Sequence, residues 1–480
     1  MNVVTIRILS ASIAKLETDD LMLVELDTML SADLPKPPKH LRIPHFNYRM
    51  SLIQRGTNRI PVGCIPAIVA FCQTRKYHCH VHDEPMFTPV DPRPAELPLR
   101  DFQDASVKLM CSTPRGIVVV PTGGGKSGIV VTVIRSLRTS ETCILWLVPT
   151  VSLLRQMQNS VKQWAPEMTR HIVTEASLAR PGKVLLITWQ SLQSQLPRYF
   201  LKFTHIFADE VHGFAGPALT KILRKCHRAT VRWGVTATMP DAQHKRLKLL
   251  GSFGPAHVMT TSAELRANET LSDIHIQPVE LRYIPEMPHR HEGKPMSYQT
   301  EYEWIISHPV RARLIAKLVQ HILTSNPEAR VMVLFHRIAA QGELLRDVIT
   351  RLCPDVPVHY VIGETETDIR EASRQFIQQT GRSVLIASTV FATGVDIPAL
   401  SDIILAAPSK SSIRLIQSIG RAARRTNTKT SAVIYDIIDF RKRPNYAMRH
   451  AAARHDVYRR EQFDVRPVIQ MSCVTTRKTS

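Results

Sequence analysis

The fold of this chain is constrained most by an alternation of short apolar runs with helix-length segments, which begins near Leu97. The apolar runs of the first stretch are Gly116–Val120, Thr142–Val148, Lys183–Thr188, His205–Ala208 and Arg232–Val235. After a break over residues 250–284 the runs resume at Arg330–Phe335, Val358–Ile362, Ser383–Ala387, Ile403–Leu405 and Ala432–Ile438. Strand runs that alternate with helices are typical of a parallel sheet covered by helices. The sequence therefore predicts two α/β lobes joined by a connecting region.

The length of 480 residues also favours two or three domains over one. The first ~90 residues have the pattern of a small α+β unit, and five prolines between positions 85 and 98 predict a linker after it. We expect a basic α+β accessory domain over 1–93, a first lobe over 94–285, a second lobe over 286–470 and a basic tail over 471–480.

A glycine-rich segment follows the first apolar run directly and reads Pro-Thr-Gly-Gly-Gly-Lys-Ser. A phosphate-binding loop needs this strand–loop–helix context, because glycines let backbone N–H groups approach phosphates and a helix N-terminus favours their charge. Val120 stands where the general pattern has glycine. Lys126 is predicted to reach the β- and γ-phosphates, and the Ser127 hydroxyl to bind magnesium. The predicted nucleotide-binding residues of this loop are Pro121, Thr122, Gly123, Gly124, Gly125, Lys126 and Ser127.

Two carboxylates, Asp209 and Glu210, follow the apolar run that ends at Ala208. The carboxyl ends of strands are where α/β sheets place catalytic groups. Asp209 suits the magnesium shell, and Glu210 suits the orientation or deprotonation of an attacking water. We expect His212 to link this site to the neighbouring lobe rather than to bind a metal.

Two arginines near the end of the second stretch, Arg421 and Arg424, lie three positions apart, so one helical face can present both to a phosphate. A guanidinium stabilises the charge that develops on a transferring phosphoryl group. Arg421 is 295 positions after Lys126 (421 − 126), too far for one typical lobe. The second lobe is therefore predicted to deliver a catalytic arginine, so that hydrolysis depends on lobe closure.

Taken in this order, the motifs resemble those of superfamily-two helicases, in particular the phage UvsW-type and XPB-like branch, from Leu97 to Phe463. The resemblance implies two tandem RecA-like lobes that use ATP and Mg²⁺. The segments that carry it, besides the phosphate loop and Asp209–His212, are Leu99–Gln103, Val148–Gln156 (motif Ia), Thr188–Leu192 (Ib), Thr236–Thr238 (III), Leu334–Arg337 (IV), Ser388–Pro398 (V) and Gln417–Arg424 (VI).

The same resemblance implies individual roles. Gln417 would join Arg421 and Arg424 in catalysis. Arg100 and Gln103 would contact the base, and Gly394 and Asp396 would face the nucleotide. The implied contacts to nucleic acid are Pro149, Thr150, Arg155, Gln190, Arg337, Thr389 and Thr393.

The charge of the chain predicts a polyanionic partner, because 62 Lys+Arg stand against 41 Asp+Glu, a formal net charge of +21. Between Leu34 and His82 there are no acidic residues, and the basic ones are Lys36, Lys39, Arg42, Arg49, Arg55, Arg59, Arg75 and Lys76. Phe46 and Tyr48 interleave with them, which suits backbone tracking plus base stacking, although a core aromatic pair fits equally well. This region is more weakly similar to the UvsW N-terminal domain. Arg49 and Arg55 are its predicted nucleic-acid contacts.

Histidine and cysteine usage argues against a zinc centre. Strand alternation places His78, His80 and His82 on one face and Cys79 on the other. None of the eight cysteines forms a Cys-x-x-Cys pair, so we expect reduced thiols in a cytoplasmic protein. No secretory signal and no apolar run of about 20 residues is found, so no membrane association is expected.

The function predicted from these features is an ATP-dependent DNA helicase or translocase that remodels or unwinds branched or duplex DNA, encoded by a phage and acting in the host cytoplasm. Its partner would be single-stranded, duplex or branched DNA. An RNA helicase is the nearest alternative, since backbone-tracking motifs barely distinguish the two nucleic acids. A restriction-system motor and a non-motor ATP-switched clamp are the others. A C-terminal helix over about 445–462 is expected to pack Ala451, Ala452 and Tyr458 inward, as an extension of the nucleic-acid track or as a cap on the second lobe.

Overall fold

The computed structural model of the chain describes residues 3–36, 48–83, 87–268, 273–283, 290–291, 294–295, 297–362, 372, 375, 380–388, 400–408, 431–440, 445–460 and 463–473. The chain forms two compact units, Met1–Thr261 and Ser262–Ser480.

The first unit begins with the expected small α+β domain. Its strands are β1 (Val3–Ile8), β2 (Ile13–Glu17), β3 (Ser31–Asp33), β4 (Arg49–Ser51), β5 (Arg59–Pro61) and β6 (His78–His82), and its helices are α1 (Asp20–Met29) and α2 (Ile65–Arg75). Four strands form one sheet in the order β5-β2-β1-β6, and β3 pairs with β4. Alternate residues of β1, such as Val4 and Ile6, are buried in a core shared with Met22, Leu26 and Ile68.

This accessory domain packs directly on the first lobe. A Cβ at Gly63 would lie 2.2 Å from the carbonyl oxygen of Leu250, so only glycine permits this approach of two backbones. The buried guanidinium of Arg232, in the first lobe, donates to the Ser12 hydroxyl at 2.7 Å. The backbone N–H of Ala11 donates to the carbonyl of His227 at 3.0 Å. The accessory domain is thus held by buried contacts, and the position of its surface is fixed relative to the first lobe.

The first lobe is a parallel sheet in the order β13-β7-β12-β11-β8-β10-β9. Its strands are β7 (Arg115–Val119), β8 (Ile144–Val148), β9 (Ile172–Val173), β10 (Val184–Thr188), β11 (His205–Asp209), β12 (Val231–Thr236) and β13 (Ala256–Val258). Its helices are α3 (Asp101–Ser112), α4 (Lys126–Leu137), α5 (Val151–Trp164), α6 (Pro217–Lys225) and α7 (Gln243–Phe253). Both faces are apolar: Trp146 and Val148 of β8 enter one core, and Leu145 and Leu147 enter the other. The continuous apolar runs of the sequence are explained by this burial on both sides.

The predicted proline-rich linker lies along the first lobe where it is described. The N–H of Val90 donates to the Cys111 carbonyl at 3.0 Å, at the end of α3. The N–H of Arg93 donates to the Ser136 hydroxyl of α4 at 2.9 Å. These two bonds give the segment a fixed course over the two helices.

The second unit contains another parallel sheet, in the order β18-β19-β17-β20-β21-β14, with β22 and β23 pairing on β14. Its strands are β14 (Asp273–Arg282), β15 (Arg290–His291), β16 (Lys294–Pro295), β17 (Arg330–Phe335), β18 (Val358–Val361), β19 (Ser383–Ser388), β20 (Asp402–Leu405), β21 (Ser431–Asp439), β22 (Asp464–Val465) and β23 (Ile469–Ser472). Its helices are α8 (Ser262–Ala267), α9 (Tyr298–Ile306), α10 (Pro309–Ser325), α11 (Glu343–Leu352) and α12 (Tyr446–Arg460).

The boundary between the lobes lies earlier than the residue 285 expected from the sequence. Strand β14 pairs with β21 along nine residues, from Asp273↔Ser431 to Leu281↔Asp439, and so belongs to the second sheet. The division into units falls between Thr261 and Ser262.

The C-terminal helix α12 covers the second sheet. Ala451 and Tyr458 are buried as predicted, but Ala452 is exposed. Arg454 is buried in the same helix, and its Nε donates to Asp436 of β21 at 2.8 Å. These contacts account for the buried side of α12 as a cap on the lobe. Among the described helices, none has the length and apolar character required to cross a bilayer.

Candidate nucleotide and nucleic-acid sites

The predicted phosphate loop connects β7 to the N-terminus of α4. Gly123 and Gly125 have φ angles of 86° and 80°, in the left-handed region that favours glycine. The first N–H groups of α4 follow directly and have no partner within the helix. The Thr122 hydroxyl is buried and has no hydrogen-bond partner among the described residues. A loop with these donors fits the triphosphate of a nucleotide.

The buried side chain of Gln103 supports this loop. Its Nε2 donates to the Gly124 carbonyl at 2.8 Å, while its Oε1 accepts from the Arg100 N–H at 2.9 Å and so caps α3. A Cβ at Gly125 would come within 2.3 Å of Nε2. Sequence reasoning assigned Gln103 to the base only by resemblance, and it missed this contact with the loop. The base contact itself stays a prediction.

The catalytic groups predicted for the first lobe lie together at the carboxyl edge of its sheet. Lys126 Nζ lies 3.8 Å from Glu210 Oε1 and donates to the Val120 carbonyl at 3.3 Å. Glu210 has a φ of 52°, a left-handed conformation that is strained for a residue with a side chain. Strain of this kind concentrates at functional sites, where the surrounding structure must stabilise it.

Asp209, at the end of β11, is buried beside Glu210. Burial and the Glu210 charge raise the pKa of Asp209 to about 7, against the opposing effects of Lys126, of the hydrogen bond from the Glu210 N–H and of His212. That hydrogen bond to Oδ1 is 2.9 Å long. A buried carboxyl whose charge is disfavoured gains most from a bound cation, so Asp209 together with the Ser127 hydroxyl fits the predicted magnesium.

A polar chain leads from these carboxylates to motif III within the same lobe. His212 Nδ1 lies 3.3 Å from Glu210 Oε2 and 3.0 Å from the Thr236 hydroxyl, which in turn donates to the Thr238 carbonyl at 2.9 Å. His212 therefore contacts the end of the adjacent strand β12. Its expected link to the other lobe stays a prediction.

The predicted nucleic-acid contacts of the first lobe lie on the other half of the same edge, after β8 and β10. Since these strands are neighbours, motifs Ia and Ib come together, and Gln190 Nε2 donates to the Pro149 carbonyl at 3.3 Å. The Thr150 hydroxyl accepts from the Leu153 N–H at 3.2 Å and caps α5. Arg155 is exposed on this helix. The residues predicted to bind nucleotide thus lie at one half of this edge, and the other half carries the N-terminus of α5 and the exposed Arg155.

In the second unit, Arg337 is exposed just after β17. The other predicted residues of this lobe lie outside the described residues, and they are Thr389, Thr393, Gly394, Asp396, Gln417, Arg421 and Arg424.

The basic residues of the accessory domain that the structure describes are exposed, while Lys39 and Arg42 lie outside the described residues. Arg49 lies on β4, where its Nε donates to the Ser31 hydroxyl at 2.7 Å, and Arg55 lies in the turn before β5. His78, His80 and His82 are exposed on β6 while the residues between them are half-buried, which confirms the predicted alternation. No group of three or more possible metal-binding side chains occurs within the part of the chain that the structure describes.

Known proteins are similar to this chain in both lobes. The sequence profile described as "Type III restriction enzyme, res subunit" matches residues 96–241, and the "Helicase conserved C-terminal domain" matches residues 313–426. The "ATP-dependent DNA helicase uvsW" of Enterobacteria phage T4 is 27% identical over 373 residues, 73% of each chain. The "DNA 3'-5' translocase XPB2" of Sulfurisphaera tokodaii is 24% identical over 379 residues, 72% of this chain and 82% of the other.

A solved structure confirms the fold. A fragment of a putative HsdR subunit of a type I restriction enzyme from Vibrio vulnificus YJ016 aligns with a TM-score of 0.57 and 19% identity, over 79% of this chain and 69% of the other. At this identity the likeness concerns the fold alone.

Proposed function

As a member of the superfamily-two helicases of the UvsW and XPB-like type, the chain is an ATP-hydrolysing helicase, and we propose that it moves along DNA to remodel or unwind branched or duplex DNA. The observation that carries this proposal is the polar chain from Lys126 through Glu210 and His212 to Thr236. It joins the phosphate loop, the catalytic carboxylate and motif III at one sheet edge.

Each group of this edge has a role that its surroundings support. Lys126 and the N-terminus of α4 bind the phosphates, while Glu210 accepts a proton from the attacking water. Ser127 and Asp209 would hold Mg²⁺, which would neutralise phosphate charge. Arg421 and Arg424 remain the predicted partners of the γ-phosphate.

His212 and Thr236 connect the proposed site of hydrolysis to the backbone at the end of β12. Because His212 contacts both Glu210 and Thr236, a change in the charge near Glu210 alters the hydrogen bonds of the strand end that precedes Thr238. We propose this route as the start of coupling between hydrolysis and movement.

The accessory domain is proposed to bind the duplex or branch point through Arg49 and Arg55. Its rigid attachment through Gly63 and Arg232 supports this role, since a bound duplex would keep a fixed position relative to the motor lobe. The eight cysteines are free thiols, which suits action in the cytoplasm of a host cell.

The proposal is tested by ATPase rates with single-stranded, duplex and branched DNA and with RNA. Stimulation by DNA is expected, and Lys126→Ala should abolish turnover. Charge reversal of Arg49 and Arg55 should weaken binding of branched DNA and reduce its salt dependence. Equal rates with and without every nucleic acid would contradict the motor, and stimulation by RNA alone would establish the RNA helicase instead.

A further inference from the structure

Two exposed tyrosines in the second unit form a pair that the motifs do not explain. Of the Phe, Tyr and Trp side chains whose exposure the structure describes, Tyr298 and Tyr446 are the two that are exposed, at 42% and 37%. They are 148 positions apart (446 − 298), yet their ring centroids lie 5.7 Å apart in an edge-to-face arrangement of 73°. Edge-to-face contact leaves ring faces that the partner ring does not cover. Tyr298 also contacts Tyr302, with ring centroids 5.8 Å apart, so it is the exposed part of each ring that is open to a third ring.

Buried contacts hold the pair in place. Both buried carboxylate oxygens of Glu301 accept N–H groups at the start of α12, from Tyr446 at 3.1 Å and from Ala447 at 2.8 Å. Glu301 lies one turn after Tyr298 on α9, so the same side chain ties the backbones that carry the two rings. The rings are thus positioned before any ligand arrives, which lowers the entropy cost of binding.

The pair lies beside the carboxyl end of β17, where Arg337 is a predicted nucleic-acid contact. The Tyr302 hydroxyl, on the turn after Tyr298, lies 3.0 Å from Nδ1 of His336. Burial raises the pKa of Tyr298, and the nearby charge of Arg337 opposes that rise. A cation and an aromatic surface therefore lie together at the functional edge of this sheet.

The surroundings of the pair are basic. The Arg449 guanidinium lies 5.4 Å from the centroid of the Tyr446 ring, and His450 contacts Tyr298 with centroids 5.3 Å apart. Glu301 is the acidic side chain that touches this surface, and its charge is satisfied by the N-terminus of α12. Exposed Glu303 follows on α9, in contact with Gln299.

We propose that Tyr298 and Tyr446 form a stacking surface for an unpaired base of single-stranded DNA whose backbone contacts Arg337 and Arg449. The proposal rests on the function proposed above and adds a base contact to its backbone contacts. Aromatic rings interleaved with cations are how proteins bind single strands without reading their sequence. Two partly exposed rings are too small a patch for a stable protein interface, which buries about 800 Å² on each partner.

The test measures binding of a short fluorescent single-stranded DNA to the full chain by anisotropy. Tyr298→Ala and Tyr446→Ala should each weaken binding by about 5- to 150-fold, the range found for one base stacked on one aromatic ring. Tyr298→Phe and Tyr446→Phe should retain affinity, since the ring and not the hydroxyl stacks. Ile469→Ala is the matched control, because Ile469 is an apolar side chain of the same unit with 41% exposure, and it should bind as the native chain does.

An abasic strand of the same length separates stacking from phosphate contact. The native chain should bind it as weakly as the alanine variants bind normal DNA, and the alanine substitutions should cause no further loss. Equal losses of the variants on abasic and normal strands would overturn the proposal, as would native affinity of both variants at unchanged melting temperature. If DNA does not stimulate the native ATPase at all, the proposed function itself fails, and this outcome is distinct from both.

Discussion

Charged side chains at the proposed nucleotide site of the first lobe and inside the second lobe are satisfied in opposite ways. Lys126 and Glu210 are partly exposed, at 11% and 18% of their side chains, and their charged atoms lie 3.8 Å apart. Arg311 and Asp439 are 2% and 1% exposed, and two hydrogen bonds of 2.6 and 3.1 Å join them.

Further hydrogen bonds to Arg311 and Asp439 complete the satisfaction of the buried pair. Arg311 also donates to the Ala406 carbonyl at 2.9 Å, and the Tyr283 hydroxyl donates to Asp439 at 3.0 Å. A buried pair with complete hydrogen bonding has no free polar atoms with which to bind a ligand. Removal of one partner leaves the other as an uncompensated charge in the core. The Lys126–Glu210 pair is longer and lies at the sheet edge, so its members can exchange their partner for phosphate or water. We therefore expect substitutions in the first pair to change turnover and substitutions in the second to change stability.

Of the substitutions that test this comparison, Glu210→Gln is expected to have the largest effect. Loss of the proton acceptor should lower ATP turnover by about 10²–10⁴-fold. Binding of ATP should persist because Lys126 and the phosphate loop are unchanged, and the melting temperature should not fall. Steady-state ATPase, nucleotide binding and thermal melting measure the three quantities. Glu175→Gln changes an exposed carboxylate of the same lobe and is the control. Native turnover of Glu210→Gln would contradict a catalytic role for the Lys126–Glu210 pair.

Arg311→Met should show the reverse pattern. Removal of one partner of a buried ion pair costs about 3–5 kcal/mol, because Asp439 would stay buried with its charge uncompensated. Denaturant unfolding measures this loss. Arg313→Met changes an exposed arginine of the same helix and should cost less than about 0.5 kcal/mol. Similar stabilities of the two variants would show that the Arg311 pair is not structural.

Gln103→Ala tests a side chain that shares features with both Glu210 and Arg311. Like Arg311 it is buried, and like Glu210 it lies beside the predicted phosphate loop. If Gln103 acts by holding the Gly124 carbonyl, KM should rise about tenfold for ATP and for GTP alike. This corresponds to a loss of about 1.4 kcal/mol in binding free energy. If it also contacts the base, the preference for ATP over GTP should fall as well. An unchanged KM for both nucleotides would contradict both roles.

Five strands of each lobe could be predicted because each is a local apolar run, and the phosphate loop because its glycines, lysine and serine are consecutive. The lobe boundary could not be predicted, because β14 is assigned by its pairing with β21, more than 150 residues later. Ala452 was placed inward by its apolar character alone. The helix instead buries Arg454, whose partner Asp436 lies on another element.

In the candidate site, too, the sequence predicted local motifs but not contacts between residues that are distant in the chain. Motif order predicted that Lys126, Asp209 and Glu210 meet, and the structure brings them together. The lone arginine within the apolar run Val231–Val235 was a signal for the domain contact that Arg232 makes, but its partner Ser12 is 220 residues away. Tyr298 and Tyr446 had no signal in the sequence, since neither lies in a motif and only folding joins them.

The smallest expected effect concerns His205, a partly buried titratable group of the first lobe whose Nδ1 lies 2.8 Å from the Thr204 hydroxyl. Burial lowers the pKa of His205 to about 4. An unfolded imidazole titrates near its ordinary value of about 6.5, so between these values the unfolded chain binds more protons, and stability is lost as the pH falls through this window. His205→Gln should reduce that loss, by about 1 kcal/mol at about pH 5.5 and by almost nothing at about pH 8. Urea midpoints at the two pH values measure it, with the exposed His227→Gln as the control. A loss of stability in acid that is the same with and without His205 would show that the imidazole is hydrated in the folded chain, and that the contrast between the two lobes does not extend to this titratable group.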